Sequence, residues 1–432
     1  MKSFLKTISL VSLLSVPVLA FGQSPTDMSN FSFRLKLQTR YDFYDTFRKN
    51  QMDIFTTTAR TGLNYKYKNV YGVIEFQGGS ATDASSATAS ASTSNGQQEL
   101  FIVRRANVGL ELVKSDPATL AFIIGRDHNV SSIVYAPDGF SNLVATNIDN
   151  ISAANSQDGI ALKYKGNFDF GGVDAQVGYY NNFPVAVLAG GSTGTTSQTS
   201  PFGTNSKGVG DATYNSQSKS GSRAIAAQVG ANVKAADGVV EVRALYSSQP
   251  NAVLTSGAST YTSTDTSNIE ASVGYNFKSN ELKGGVWFQQ VSIGKTQSST
   301  GSIVTNDITY ANGATDDSYT ATTIGLGVTG NSNLFGLNSL LVSGDYLTYG
   351  LGYLMVSGQN FSNGGGSGVT AFSNQSVDVN MINIAAGYTQ GVYSLELDYI
   401  MSNADKEIYA GTDGALNQKT ASLFYLVGTI AL

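Results

Sequence analysis

From Phe31 to Phe43 the side chains alternate without a break. Phe31, Phe33, Leu35, Leu37, Thr39, Tyr41 and Phe43 form one set; Ser32, Arg34, Lys36, Gln38, Arg40 and Asp42 form the other. A period of two puts each set on its own face of a β-strand. A helical period would mix Phe31, Arg34, Leu35 and Gln38 on one side. The alternation returns at Leu63–Tyr67, Val173–Tyr179, Val240–Tyr246, Ile269–Phe277 and Tyr393–Tyr399. Sixteen strands are predicted, near 31–44, 52–67, 70–78, 99–113, 119–126, 158–165, 172–181, 223–233, 239–247, 268–277, 281–291, 319–329, 337–349, 377–389, 393–402 and 420–432. Most have the roughly 9 to 11 residues that a tilted strand needs to cross a bilayer. An even number is the rule for bacterial outer-membrane barrels.

The spacing between strands alternates as well. Connections after even-numbered strands are short: Lys68-Asn69, Lys114–Ala118, Ala235–Gly238, Lys278–Asn280 and Gln390–Val392. Those after most odd-numbered strands are long: 79–98, 127–157, 182–222, 248–267, 292–318, 350–376 and 403–419. They are rich in Ser, Thr, Gly, Asn and Ala, a composition that suits solvated loops. Short turns at one end and long loops at the other are the habit of a membrane barrel. Aromatic residues mark both strand ends. Tyr65, Tyr67, Tyr164, Tyr275, Phe277, Tyr388 and Tyr393 stand beside short turns, and Phe76, Tyr179, Tyr246, Phe288, Tyr346 and Tyr399 near long loops, as interfacial girdles require. The opposite faces hold Arg60, Asn64, Gln176, Gln228, Glu270, Asp345, Asn383 and Asp398, which suits a wet interior. The expected fold is therefore all-β: a transmembrane antiparallel β-barrel of about 16 strands. A sandwich would bury the apolar faces against each other and has no need of the loop alternation.

Composition narrows the functions. Only 13% of the 432 residues are charged, there is no Cys, and His128 is the single histidine. That excludes a Cys-ligated metal site and a disulfide framework, and no nucleotide, haem or metal motif appears, so no cofactor is expected. The net charge of −5 becomes −7 once Lys2 and Lys6 leave with the leader, so no basic field exists for nucleic acid. Residues 1–22 read as a secretory signal peptide: Lys2 and Lys6, then the apolar stretch Ile8–Ala20, then small residues that allow cleavage after Ala20 or Gly22. Residues 23–432 read as one barrel domain. Catalysis is not expected. Barrel hydrolases use a histidine as general base, and His128 sits directly beside Asp127, whereas a triad needs its members brought together in space.

The segment 125–182 carries a resemblance. Gly125-Arg126-Asp127, the long third connection, the re-entry N-S-x-x-G-I-x-L-x-Y at 155–164 and Phe170-Gly171-Gly172 are similar to the third-loop region of the trimeric general porins of Gram-negative outer membranes. Pro137-Asp138-Gly139-Phe140 stands where that family has Pro-Glu-Phe-Gly-Gly. The chain ends in Leu432 where the family commonly ends in Phe, which marks a distant member. The resemblance implies a third loop folded into the lumen, a homotrimer in outer-membrane lipid, and a constriction in which loop carboxylates face wall arginines. Lys36, Arg40, Arg60 and Arg105 are the candidates on the wall, and Asp127, Asp138 and Asp149 on the loop. Ala59, Gly72 and Ala106 are small outward residues suited to packing between subunits. Alternation points Arg104 at lipid, and a β-bulge or a strand reaching above the membrane would absorb it.

The function expected is passive diffusion of ions and small hydrophilic solutes with weak cation preference. The alternative is a substrate-specific channel for sugars or anions. Tyr180, Trp287 and Tyr135 are its candidate stacking surface for sugars, while the basic ladder that an anion path requires is missing. Adhesion or an envelope role through the Ser/Thr-rich loops would be compatible with either.

Overall fold

The computed structural model describes residues 30–45, 54–81, 98–128, 156–180, 224–250, 253–256, 259–263, 265–278, 281–293, 296–298, 303–305, 308–310, 319–336, 341, 345–363, 372–407, 409–410 and 416–432. Sixteen strands form the wall: β1 Phe31–Asp45, β2 Ile54–Tyr67, β3 Val70–Ala81, β4 Gln98–Lys114, β5 Ala118–His128, β6 Ser156–Phe168, β7 Gly171–Tyr180 and β8 Ala224–Ala235. They continue with β9 Gly238–Pro250, β10 Asp265–Phe277, β11 Leu282–Ile293, β12 Tyr319–Asn331, β13 Asp345–Asn363, β14 Phe372–Gln390, β15 Tyr393–Ala404 and β16 Thr420–Ala431. Each pairs antiparallel with its neighbours in sequence, and β16 returns to β1, so the sheet is a closed barrel. At the seam Lys36 stands across from Ala431 and Tyr41 from Leu426. Leu35 and Leu432 exchange backbone hydrogen bonds of 3.1 and 2.8 Å.

The two faces separate as the alternation predicts. On β10, Ile269, Val273 and Tyr275 are exposed, while Asn268, Glu270, Ser272 and Gly274 are buried. Val108, Ile124, Val177, Ile225, Val229, Leu351, Ile384 and Leu395 are likewise exposed on the outer face, and a soluble protein would not leave such a belt in water. At the short-turn end the belt is closed by aromatics: Phe31 packs on Tyr65 with ring centres 4.9 Å apart, and Tyr275 on Phe277 at 6.4 Å. Lys68 and Lys278 each hold an ammonium 5.1 Å from the centre of the preceding ring, Tyr67 and Phe277. An aromatic body with a cation at its wet edge is an interfacial anchor.

Departures from perfect alternation have identifiable causes. Glu75 pairs with Arg105 but Phe76 pairs with Val103, so Arg104 is the extra residue of a β-bulge. The bulge restores the parity of the strand on both sides of the awkward arginine. The thirteenth strand lies later than expected. It begins at Asp345, after a 3-10 turn at Ser332–Phe335, and runs to Asn363. Most of 350–376, expected as loop, is therefore wall. Leu354 and Val356 on the inner face are as apolar as Leu351 and Tyr353 on the outer, and an apolar run without alternation hides a strand. Asp345 accordingly falls on the outer face, in register with Gln390 and on the same side as Leu347 and Tyr388. It accepts hydrogen bonds from Tyr388 and, at 3.3 Å, from Gln390. Tyr346 shares neither that face nor the long-loop end. The long connections also carry small sheets: Val253–Ser256, Ser259–Ser263 and Thr296–Ser298 form one, and Ile303–Thr305 with Ile308–Tyr310 another. The leader and the third loop lie outside the described residues.

An outward apolar face makes a direct demand on sequence. Val273 is 53% exposed at the middle of β10. Val273→Arg should lower the free energy of folding into vesicles by about 2 to 4 kcal/mol, the cost of a cation on the lipid face at mid-depth. Urea titration of refolding into phospholipid vesicles measures it, with Asn64→Arg on the lumen face as the comparison expected to cost far less.

Candidate functional site: the inner wall of the barrel

Alternation sends every second residue of sixteen strands to one interior, and the register decides which of them meet. Lys36 on β1 stands directly across from Arg60 on β2. Arg60 in turn faces Gln77 on β3, and Glu75, one rung lower on the same face, is opposite Arg105 on β4. Three of the expected basic residues thus form one patch across four adjacent strands, with Glu75 inside it. Arg40 holds a register position further up β1, opposite Thr56 and Val427, and Asp127 pairs with Gln157 near the top of β5. Their side chains, together with all of Asp138 and Asp149, lie outside what the structure describes, as does Tyr135. Like charges in direct cross-strand register oppose each other and raise the local positive potential.

The opposite side of the ring is acidic. Strand β10, eight places round from β2, carries Glu270 about midway along its length, as β2 carries Arg60. Glu270 is 0% exposed. Its Oε1 accepts from Asn268 Nδ2 at 2.6 Å and from Gln289 Nε2 at 3.3 Å. Further round, Glu396 and Asp398 on β15 are also buried, and Asn383 Nδ2 lies 3.5 Å from Asp398 Oδ1. Basic residues on one wall thus stand across the ring from carboxylates on the other, which is the separation that a transverse field in a pore requires.

Three further charge groups join residues that the sequence did not pair. On the inner face of β7 and β9, Arg243 Nη1 donates to Asp174 Oδ2 at 3.1 Å, and Gln228 Nε2 of β8 donates to the same oxygen at 3.2 Å. The pair spans β8 because Gly230 lies between the partners. A methyl group there would come 2.7 Å from Asp174 Oδ1 and 3.1 Å from Arg243 Nη1. Near the short-turn mouth Glu111 pairs with Lys66 at 2.9 Å and Lys114 at 3.4 Å. Beside it Tyr71 lies flat over Gly109, where a Cβ would fall 2.1 Å from the ring. The Asp174–Arg243 and Lys66–Glu111 contacts join residues far apart in the chain, so only the register reveals them. On the outer face at the long-loop end, Arg126 forms a two-point bridge to Asp158, with Nε to Oδ1 at 3.0 Å and Nη2 to Oδ2 at 2.7 Å.

The interior is not polar throughout. Leu245, Trp287, Leu354, Val356, Met381, Ile400, Tyr425 and Val427 all face inward and are buried. The expectation of polar or small inward residues holds for Arg60, Asn64, Gln176, Gln228, Glu270, Asn383 and Asp398 and fails for these. Of the expected stacking residues, Tyr180 and Trp287 are buried on the inner face of β7 and β11, four strands apart, and Tyr180 accepts a hydrogen bond from Gln176 at 2.8 Å. Among the described residues no group of His, Cys, Asp and Glu has the arrangement of a metal site.

No protein-family model matches the sequence. No curated protein matches it either. Solved structures do. OprB of Pseudomonas putida is similar over 95% of this chain and 97% of its own, with a TM-score of 0.55 at 10% identity. OmpF of Salmonella typhi, solved with daunomycin, aligns over 93% and 97% with a TM-score of 0.49 at 13% identity. The outer membrane channel DcaP of Acinetobacter baumannii aligns over 93% and 96% with a TM-score of 0.45 at 12% identity. At these identities the likeness to OprB is one of fold: a closed barrel spanning nearly the whole of both chains.

The gap at Gly230 provides a test of the inner wall. Gly230→Ala should push Asp174 and Arg243 apart at a modest cost of about 1 kcal/mol or less, since the crowded atoms are the ends of flexible, partly exposed side chains. Urea titration of vesicle-folded protein reads the loss, and Asp174→Asn combined with Gly230→Ala should cost less than the sum of the two alone.

Proposed function

We propose that this chain is a porin of the Gram-negative outer membrane, a distant member of the general porin family, and that it passes ions and small hydrophilic solutes by diffusion. The observation that carries the reading is the closed sixteen-strand wall, greasy outside and lined inside by a basic patch at Lys36, Arg60 and Arg105 facing buried carboxylates. A barrel of this strand number is wide enough to hold a water path. Nothing in it requires chemistry, and its work is to exclude apolar solutes and admit polar ones. The leader, residues 1–22, directs export and is removed. Three copies associate through the outer faces of β2 to β4, where Ala59, Gly72 and Ala106 permit close approach. Asp127 at the top of β5, with Asp138 and Asp149 of the third loop, completes the constriction opposite Lys36, Arg40, Arg60 and Arg105. Carboxylates outnumber cations over the whole chain, so cations pass slightly more readily than anions.

Planar-bilayer recording tests this. The purified protein should give stepwise ohmic KCl conductance, and a salt gradient should produce a small reversal potential of the sign that marks cation preference. Lys36→Ser with Arg60→Ser should increase the ratio of K⁺ to Cl⁻ permeability several-fold, because it removes two positive charges from the wall. An electrically silent protein, or a variant that moves toward anions, overturns the reading.

A further inference from the structure

The inner faces of β9, β10 and β11 bring six polar or aromatic side chains together on three successive rungs. Ser247 stands across from Asn268, Glu270 from Gln289, and Ser272 from Trp287. Ser247 Oγ, Asn268 Oδ1, Ser272 Oγ and Trp287 Nε1 have no hydrogen-bond partner among the described residues. All four residues are buried, at 1%, 0%, 3% and 0% exposure. One unpaired polar atom in a dry place costs about 1 to 3 kcal/mol, so native proteins rarely keep several together without a reason. Across from Trp287 on its other side is Gly325, which adds no side chain of its own.

We infer that this patch is a binding site for a neutral polyhydroxylated solute, a sugar or sugar alcohol, inside the channel. The inference rests on the channel reading above and names a solute for it. The chemistry of the unpaired atoms selects the class. Asn268 Oδ1 only accepts, Trp287 Nε1 only donates, and the two serine hydroxyls do both. A row of carbon-bound hydroxyls, each able to donate and accept, matches that mixture. An anion would meet the Glu270 carboxylate. A bare cation would meet the Trp287 N–H, and Glu270 already receives the amide donors of Asn268 and Gln289. A site that spends buried polar atoms on hydroxyls rejects solutes without them.

The test uses single channels of the purified full-length protein in KCl, with glucose, sucrose or sorbitol added to one side. Each polyol is expected to reduce the current saturably, beyond the effect of solution viscosity measured with a polyethylene glycol too large to enter. Trp287→Phe, which keeps a ring and removes the N–H, and Ser247→Ala with Ser272→Ala should each raise the half-blocking concentration by about tenfold or more, as loss of a matched hydroxyl contact requires. Should Trp287→Phe fail to assemble, the serine pair, which removes only two hydroxyl oxygens, carries the test. Ohmic KCl current without saturable block, or block equal in wild type and variants, overturns the polyol site and leaves the porin reading intact. Block by alkylammonium ions in place of polyols overturns the class of ligand. Absence of any KCl current removes both readings.

Discussion

In hydrocarbon a backbone N–H or C=O has no water to turn to, and each one left unpaired costs several kcal/mol. That constraint governs this molecule more than any side-chain contact. It forces the sheet to end where it began, with β16 against β1, and it makes the last residue part of the wall: Leu432 and Leu35 satisfy each other's backbone groups. Once the hoop is closed, facing is no longer free. Each strand has one side in lipid and one in the lumen, and a slip of one residue anywhere would turn a row of valines inward and a row of charges outward.

The bulge at Arg104 shows the constraint at work. Without it, the stretch from Phe101 to Leu110 could not keep both Val103 and Val108 in lipid while Arg105 and Asn107 face in. One extra backbone residue is enough to restore that facing on both sides of Arg104. The outer-face pair Arg126–Asp158 solves the same problem differently. It lies at the long-loop end of the belt, where two opposite charges satisfy each other and a third donor, Arg126 Nη1, reaches the Val103 carbonyl at 3.2 Å.

How much of this was legible in the chain follows from which signals are local. Strand identity is local: a face repeats every second residue, and all sixteen wall strands were visible wherever one face was polar. Where both faces are apolar, as from Leu351 to Val356, the signal vanishes and β13 was placed too early, which also misassigned Asp345. Wall membership of Lys36, Arg60 and Arg105 was legible for the same reason as the strands. Which residues they face was not, because cross-strand partners depend on register summed around the ring. Asp174 with Arg243, and Glu111 with Lys66, join positions 69 and 45 residues apart.

The inner wall divides its labour by position. Lys36, Arg60 and Arg105 gather on β1, β2 and β4 with Glu75 among them, carboxylates stand on β10 and β15, and an apolar band including Leu354, Met381, Ile400 and Val427 lies between β13 and the seam. A field across the path needs opposite charges held apart, and the rigid wall holds them apart where flexible loops would let them collapse into pairs. Glu270 illustrates the arrangement. Its Oε1 takes amide donors from Asn268 and Gln289, and it stands eight strands round the ring from Arg60. An arginine at Gln289 would instead set a cation directly across from that carboxylate and pair with it in place.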